Sequence, residues 1–446
     1  MPRQSVAVIG SGISGLSAAW LLSRSQDVTL FEASSKPGGH ANTVEITTPE
    51  GICPVDTGFI VYNEVTYPNL TALFRYLGVT AQPSSMTFSA SFDNGSYEYS
   101  ASRATGLFAQ KANLLNHTHW LMIADIVRFF RNSPADVADR DDSYTLAQLL
   151  DDGGYSGAFT AKHIVPMGAC IWSMPLCNVL EMPARTFVDF FENHGLLQIS
   201  KRPPWRTVNG GSQEYVRAIL EDSKLELHLN KPIERLRRSS HGVRITSRTG
   251  EEFDFNHAVL ACHSDQALAL LDDPDEDERK LLGAIRYAPN RAVLHTDPAL
   301  MPKRRNAWAS WNYLQNGQQS EGNLALTYWM NALQNLPTET DVFVTLNPPT
   351  DISPDKVIDT FSYTHPIFDQ NALRAQKQIW RLQGQRKTWY CGAWCGSGFH
   401  EDGLQAGLAV AEQLGGISRP WQIDNPSSRI FIDQEQKPGR HVEAAE

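Results

Sequence analysis

The opening of the chain leaves few folds available to it. Val6-Ala7-Val8-Ile9 is a short apolar run of the kind that forms a buried parallel strand. It breaks into Gly10-Ser11-Gly12-Ile13-Ser14-Gly15, and residues 16–22 continue with helical composition. Each glycine has a task at this spacing. Gly10 permits the tight turn, Gly12 lets the backbone approach a pyrophosphate, and Gly15 lets helix and strand pack closely. Ile13 and Ser14 open a helix whose free N–H groups and positive dipole end suit phosphate oxygens. A second strand, residues 28–31, ends in Glu32-Ala33, about twenty positions after Gly10, where a carboxylate reaches ribose hydroxyls. A glycine triplet alone is weak evidence. Strand, glycines, helix, strand and acid in that order predict a Rossmann-type dinucleotide site.

Bulk properties narrow the class. A chain of 446 residues exceeds one small core, so two domains or an interleaved pair are expected. Its 39 basic and 49 acidic residues leave a formal charge of −10, which gives no general attraction for nucleic acid. No apolar stretch reaches the roughly 20 residues of a membrane span, and no secretory block precedes the first strand, so a cytoplasmic location is expected. Six scattered cysteines without knuckle spacing read as reduced thiols, with no metal site. There is no His-Glu-x-x-His, no Gly-x-Ser-x-Gly and no phosphate loop ending in Gly-Lys-Ser/Thr. A second nucleotide unit for NADPH is also missing from the sequence.

The segment after Glu32 separates the candidate cofactors. Pro37-Gly38-Gly39-His40 places a second glycine pair just past the ribose-binding acid. Near the other end, a strand at 388–392 leads into Gly396-Ser397-Gly398-Phe399-His400-Glu401-Asp402-Gly403 and a helix running to Leu414. Together these resemble the flavin-containing amine oxidase superfamily, which includes protoporphyrinogen oxidases and phytoene desaturases. The resemblance covers nearly the whole chain. Its finer phrases, such as Val55 to Asn63, Trp308 to Tyr313 and His365-Pro366, look like a bacterial branch of NAD/FAD-binding amine-oxidase-like proteins linked to fatty acyl modification.

The resemblance implies FAD as cofactor. It implies that Gly38, Gly39 and the following residue close over the pyrophosphate, with His40 standing where arginine is usual. It brings Thr57, Gly58 and Phe59 to the cofactor and has Ile233 hold adenine through its backbone. It sets Ala261 and Gly392 beside the flavin, and it matches Glu401, Asp402 and Gly403 to the family's Glu-Gly-Ala. Trp394 replaces an acid that contacts the ribityl chain in relatives. The catalytic lysine of amine oxidases has no match, and by position its role would fall to Arg291 or His295.

The expected fold class is α/β plus α+β, a Rossmann-type FAD-binding domain interleaved with a mixed sheet-and-helix substrate domain. The FAD-binding domain takes residues 1–75, 205–275 and 381–416, the substrate domain takes 76–204 and 276–380, and 417–446 form an extended tail. Residues 86–92 and 97–99 flank an Asp93-Asn94-Gly95 turn and read as a hairpin. A helical pattern follows over 107–130, and Thr145-Leu146-Ala147-Gln148 reads as a capping box. Trp308, Trp311, Tyr313, Tyr328 and Trp329 either wall an apolar tunnel or fill a core.

The function expected from these signals is an FAD-dependent oxidase or desaturase. It takes a hydride from an apolar, fatty-acyl-like substrate onto flavin N5, with peripheral membrane contact through the helix around residues 120–130. The alternatives are an amine oxidase producing aldehyde and peroxide, a redox-neutral double-bond isomerase, and a protein whose flavin is structural.

Overall fold

The computed structural model describes residues 2–101, 104–198, 202–315 and 324–432. At its centre lies a five-stranded parallel sheet with spatial order Leu225–His228, Asp27–Phe31, Ser5–Ile9, His257–Leu260 and Thr388–Tyr390. Its strands come from three distant parts of the sequence, and the inner strands Ser5–Ile9 and His257–Leu260 are almost wholly buried because helices or a second sheet cover both faces. One face carries the helix Ile13–Leu22, every residue of which is buried. That helix packs along His400–Gly415, where a Cβ on Gly407 would fall 2.1 Å from the Ser14 carbonyl oxygen. Only glycine allows the two backbones to approach so closely. The antiparallel sheet of Ile233–Arg238, Val243–Ser247 and Glu252–Phe255 covers part of the other face.

The second unit is built on a seven-stranded sheet. Its order is Val357–Ile367, Arg286–His295, Phe343–Leu346, Leu326–Trp329, Trp311–Gln315, Phe88–Phe92 and Tyr97–Ser100. All neighbours are antiparallel except Trp311–Gln315 with Phe88–Phe92. The expected hairpin is present, turning through Asp93–Gly95. Helices cap this sheet, among them His117–Val137, Leu146–Asp152, Val165–Trp172 and Ala184–Asn193. Thr145 and Gln148 form the expected reciprocal cap. The long helix starts later than its pattern suggested, at His117, because Asn116 caps it through the N–H groups of Thr118 and His119.

Two apolar cores correspond to the two units. The core of the nucleotide-fold unit reaches beyond the expected boundaries. Helices Glu276–Leu282 and Gln370–Ile379 bury Leu281, Leu282, Ala372 and Ile379 in it. The expected tail also packs: Trp421 stacks on Trp20 at 5.8 Å, Arg419 is buried against Glu412 and Asn69, and Ile430 joins the same core.

Candidate active site

Between the two units lies a cavity of about 770 Å³, within the size range of small-molecule sites. One end is the nucleotide fold. Gly10, Ser11, Gly12, Ile13 and Ser14 form its floor, with Glu32 and Ala33 to one side and Lys231, Pro232, Ile233 and Arg248 at the rim. Glu32 is braced by the backbone N–H groups of Ser11 at 3.0 Å and Ser34 at 2.8 Å. Gly10 has φ +103°, and its Cβ would sit 2.7 Å from the Ala261 carbonyl oxygen. Gly12 differs, because a Cβ there would meet no protein atom within 4 Å.

The sequence-derived cofactor residues therefore divide into two sets. Gly10, Gly12, Ile13, Ser14, Glu32, Ala33, Gly39, His40, Gly58, Phe59, Ile233, Ala261 and Gly392 line the cavity. Gly15, Gly38, Thr57, Glu401, Asp402 and Gly403 stand behind that wall. Gly15 packs on Gly10, and Gly38, at φ +121°, turns the chain with its N–H on the Ser11 carbonyl. Thr57 bonds the Tyr363 hydroxyl across the two units at 2.8 Å. Glu401 is fully buried and accepts the N–H groups of Asn69 and Leu70, so it caps the helix Pro68–Leu77. Asp402 accepts from Phe399 N–H at 2.7 Å, and Gly403 keeps the helix close to Ile13. Trp394 lines the cavity with its indole N–H on the Cys262 carbonyl.

Arg291 and His295 are not in the wall. Both project from the face of the strand Arg286–His295 opposite to Asn290. The cavity face carries Asn290, Leu294, Val344, Tyr328 and Trp311 in register, and Trp311 and Tyr328 line the cavity. Side chains alternate along a strand, so a position one residue off faces the wrong way. His295 is buried, accepting from Asp297 N–H at 3.0 Å and donating to Thr345 Oγ1 at 2.7 Å. Among the five aromatics at 308–329, Tyr313 packs in the core against Phe92, while Trp308 and Trp329 hold Arg305.

The other end of the cavity is aromatic, and the sequence did not mark it. Trp172, Phe190, His194, Trp205 and Phe399 converge there, with Phe190 4.7 Å from Trp172, 3.8 Å from His194 and 4.8 Å from Phe399. Helix Ala184–Asn193 buries Phe187, Phe190 and Phe191 at helical spacing, and this aims Phe190 inward. The glycine turn before the last helix supplies Phe399.

The pattern of the flavin containing amine oxidoreductase family matches residues 13–323. The chain belongs to this family. Solved structures share the whole architecture at low identity. The CLA-producing fatty acid isomerase from P. acnes is 14% identical, with 93% of this chain and 98% of that one covered and a TM-score of 0.66. Wild-type putrescine oxidase bound to putrescine is 12% identical, covering 93% and 100% with a TM-score of 0.63. Cyclohexylamine oxidase from Brevibacterium oxydans is 16% identical, covering 93% and 100% with a TM-score of 0.60. Membership in the flavin-containing amine oxidoreductases makes the protein an FAD-dependent oxidoreductase. Its residues fit that cofactor: the space beside Gly12 has no protein occupant, and His40 Nε2 is buried without a hydrogen-bond partner.

Five histidines line the cavity of this family member: His40, His194, His263, His365 and His400. Burial lowers all five. His40 falls to about 4, with His263 nearby adding to the effect, and His194 and His365 fall to about 3. The unfolded chain therefore binds more protons than the folded one between pH 6.5 and about 3–4, and stability present above pH 6.5 is lost as pH falls through that window. Asp56 and Asp402, raised to about 6 by burial, and Asp189, raised by the same cause, act in the opposite sense, but they are three against five. The thermal midpoint of the purified protein is expected to drop steadily from pH 7 to pH 5. A midpoint that holds level or rises over that range contradicts this account.

Proposed function

We propose that the protein is an FAD-dependent oxidase or desaturase of an apolar, fatty-acyl-like substrate. One observation carries the reading. Among the described residues lining the cavity Glu32 is the lone carboxylate, and it belongs to the nucleotide end. The aromatic end holds no anion to offset an ammonium group, and a cation buried there without a counter-charge would be costly. It does hold Ile60, Met86, Ile171 and Leu196 beside the aromatic rings, surfaces that favour a chain of methylene groups. In addition, Trp172 and Trp311 carry buried indole N–H donors without partners, which suit an oxygen acceptor and repel an ammonium donor.

FAD, when bound, supplies the hydride acceptor. The chain's own residues bind, orient and exclude water. In this reading Gly10, Gly12 and the helix Ile13–Leu22 hold the diphosphate and Glu32 the ribose. His40 Nε2 gains its missing partner from the cofactor, and the aromatic end aligns the alkyl chain.

Contact with a lipid surface supports access for such a substrate. Leu114, Leu115, Trp120 and Leu121 are exposed, Leu115 at 94%, and residues 101–124 contain no acidic residue in a chain of net charge −10. No helix among the described residues is long and apolar enough to cross a membrane.

Anaerobic mixing tests the assignment. Unsaturated acyl lipids are expected to bleach the flavin absorbance, and the protein should co-sediment with lipid vesicles. Bleaching by simple amines and not by acyl lipids would overturn the substrate class. Product formation without net bleaching would replace oxidation by isomerisation, a reading favoured by the likeness to the fatty acid isomerase.

A further inference from the structure

We propose that His365 is a locked hydrogen-bond donor into the cavity, presenting Nε2–H to an acceptor atom bound there. The backbone N–H of Arg291, a group that can only donate, bonds Asn347 Oδ1 at 2.9 Å. That bond fixes the orientation of the Asn347 amide, so its Nδ2 is the atom donating to Asn290 Oδ1 at 2.7 Å. Asn290 is fixed in turn, and independently, because its Nδ2 also lies 3.0 Å from the Ser173 carbonyl oxygen, which can only accept. The same Nδ2 lies 3.0 Å from His365 Nδ1. Nδ1 must therefore be the unprotonated acceptor, and the ring proton sits on Nε2.

Geometry directs this proton. His365 lines the cavity while its Nδ1 edge is turned to the buried Asn290, so the edge left to the cavity carries Nε2. No described residue accepts from it. Asn347 adopts φ +48°, a left-handed conformation that asparagine tolerates, and this lets both ends of its amide reach the neighbouring strand. The imidazole stays neutral near pH 7, because burial and the nearby His40 and His263 rings oppose its protonation. It acts as a positioned dipole and not as a charge.

A lysine ammonium would supply a mobile, solvated cation; His365 supplies one N–H in one direction. The acceptor chemistry is an oxygen or nitrogen lone pair, from either of two sources. One is the carbonyl or carboxylate oxygen of an acyl head group, which rests on the substrate class proposed above. The other is the polar edge of the flavin ring, which does not depend on it.

The test uses the holoenzyme. Isotope-labelled imidazole NMR should report His365 as the neutral Nε2–H tautomer, and Asn290→Asp should reverse it, because a carboxylate demands a proton on Nδ1. Decanoate is the probe for the acyl source, followed through flavin absorbance, and the flavin reduction potential is the readout for the ring source. His365→Phe is expected to weaken decanoate binding about tenfold or more, or to shift the potential and leave decanoate binding unchanged. His365→Gln, which keeps a donor, should restore part of whichever property was lost. An Nδ1–H tautomer in the wild type overturns the proposal, as does a His365→Phe holoenzyme unchanged in both properties. Should decanoate fail to bind the wild type, the acyl reading fails while the tautomer and potential still decide the role of His365.

Discussion

Gly12→Ala is expected to give a folded but colourless protein, and Gly15→Ala a protein that does not fold. The two glycines sit three residues apart in one loop, yet different neighbours exclude a side chain at each. At Gly12 the backbone has φ −65°, ordinary for alanine, and the added methyl would touch no protein atom. Nothing in the polypeptide explains a glycine there, so the constraint comes from what the loop binds. Thermal stability should stay near that of the parent while FAD absorbance per folded molecule is lost. At Gly15 the methyl would fall 1.9 Å from the Gly10 carbonyl oxygen and 3.1 Å from Ala261 Cβ. Neither backbone can move without opening the central sheet, and a loss of more than about 3 kcal/mol is expected. Chemical unfolding with absorbance at the flavin band separates the two outcomes. A Gly12→Ala protein that keeps its colour would remove the loop from the cofactor site.

The second large effect is expected at Glu401. Family likeness places this residue near the flavin, but its carboxylate is fully enclosed and accepts from Asn69 N–H at 3.0 Å, Asn69 Nδ2 at 2.8 Å, Leu70 N–H at 2.9 Å and Gln405 Nε2 at 2.9 Å. It ties the last helix to the start of Pro68–Leu77. Glu401→Ala strands these buried donors, at about 1–3 kcal/mol each, for a total of roughly 3 kcal/mol or more. Glu401→Gln keeps an oxygen acceptor and should lose less. In both variants the folded fraction is expected to show the parent flavin spectrum. An altered spectrum with unchanged stability would place Glu401 at the cofactor instead.

Local signals in the sequence made part of this site legible. The strand–glycine–helix opening and Glu32 depend on local sequence, and the structure gathers them at one end of the cavity. The hairpin around Asp93–Gly95 and the cap at Thr145 were legible for the same reason. The seven-stranded sheet hid its functional face. Choosing Arg291 and His295 required knowing the parity of a strand whose two faces both carry apolar and polar residues, and nothing local distinguishes them. Asn290, one position before Arg291 and on the opposite face from both candidates, is the residue that reaches the cavity wall through His365. The aromatic end was illegible for a different reason: Trp172, Phe190, Trp205 and Phe399 come from four separate stretches and meet only through packing. Glu401 was assigned by position, and its bonds to a helix start more than three hundred residues earlier in sequence could not be read from local signals.

The pairing of Ile13–Leu22 with His400–Gly415 bears on biosynthesis. When the first of these helices leaves the ribosome, the surface it must lie against has not yet been translated, and one edge strand of its sheet, Thr388–Tyr390, is also still missing. Contacts this remote are slow to form, and the exposed apolar segments of a waiting nascent chain invite aggregation and chaperone attention. Cofactor loading is therefore expected after translation, and a prematurely terminated product lacking these last elements would stay an apoprotein, leaving yellow colour as a report of complete synthesis.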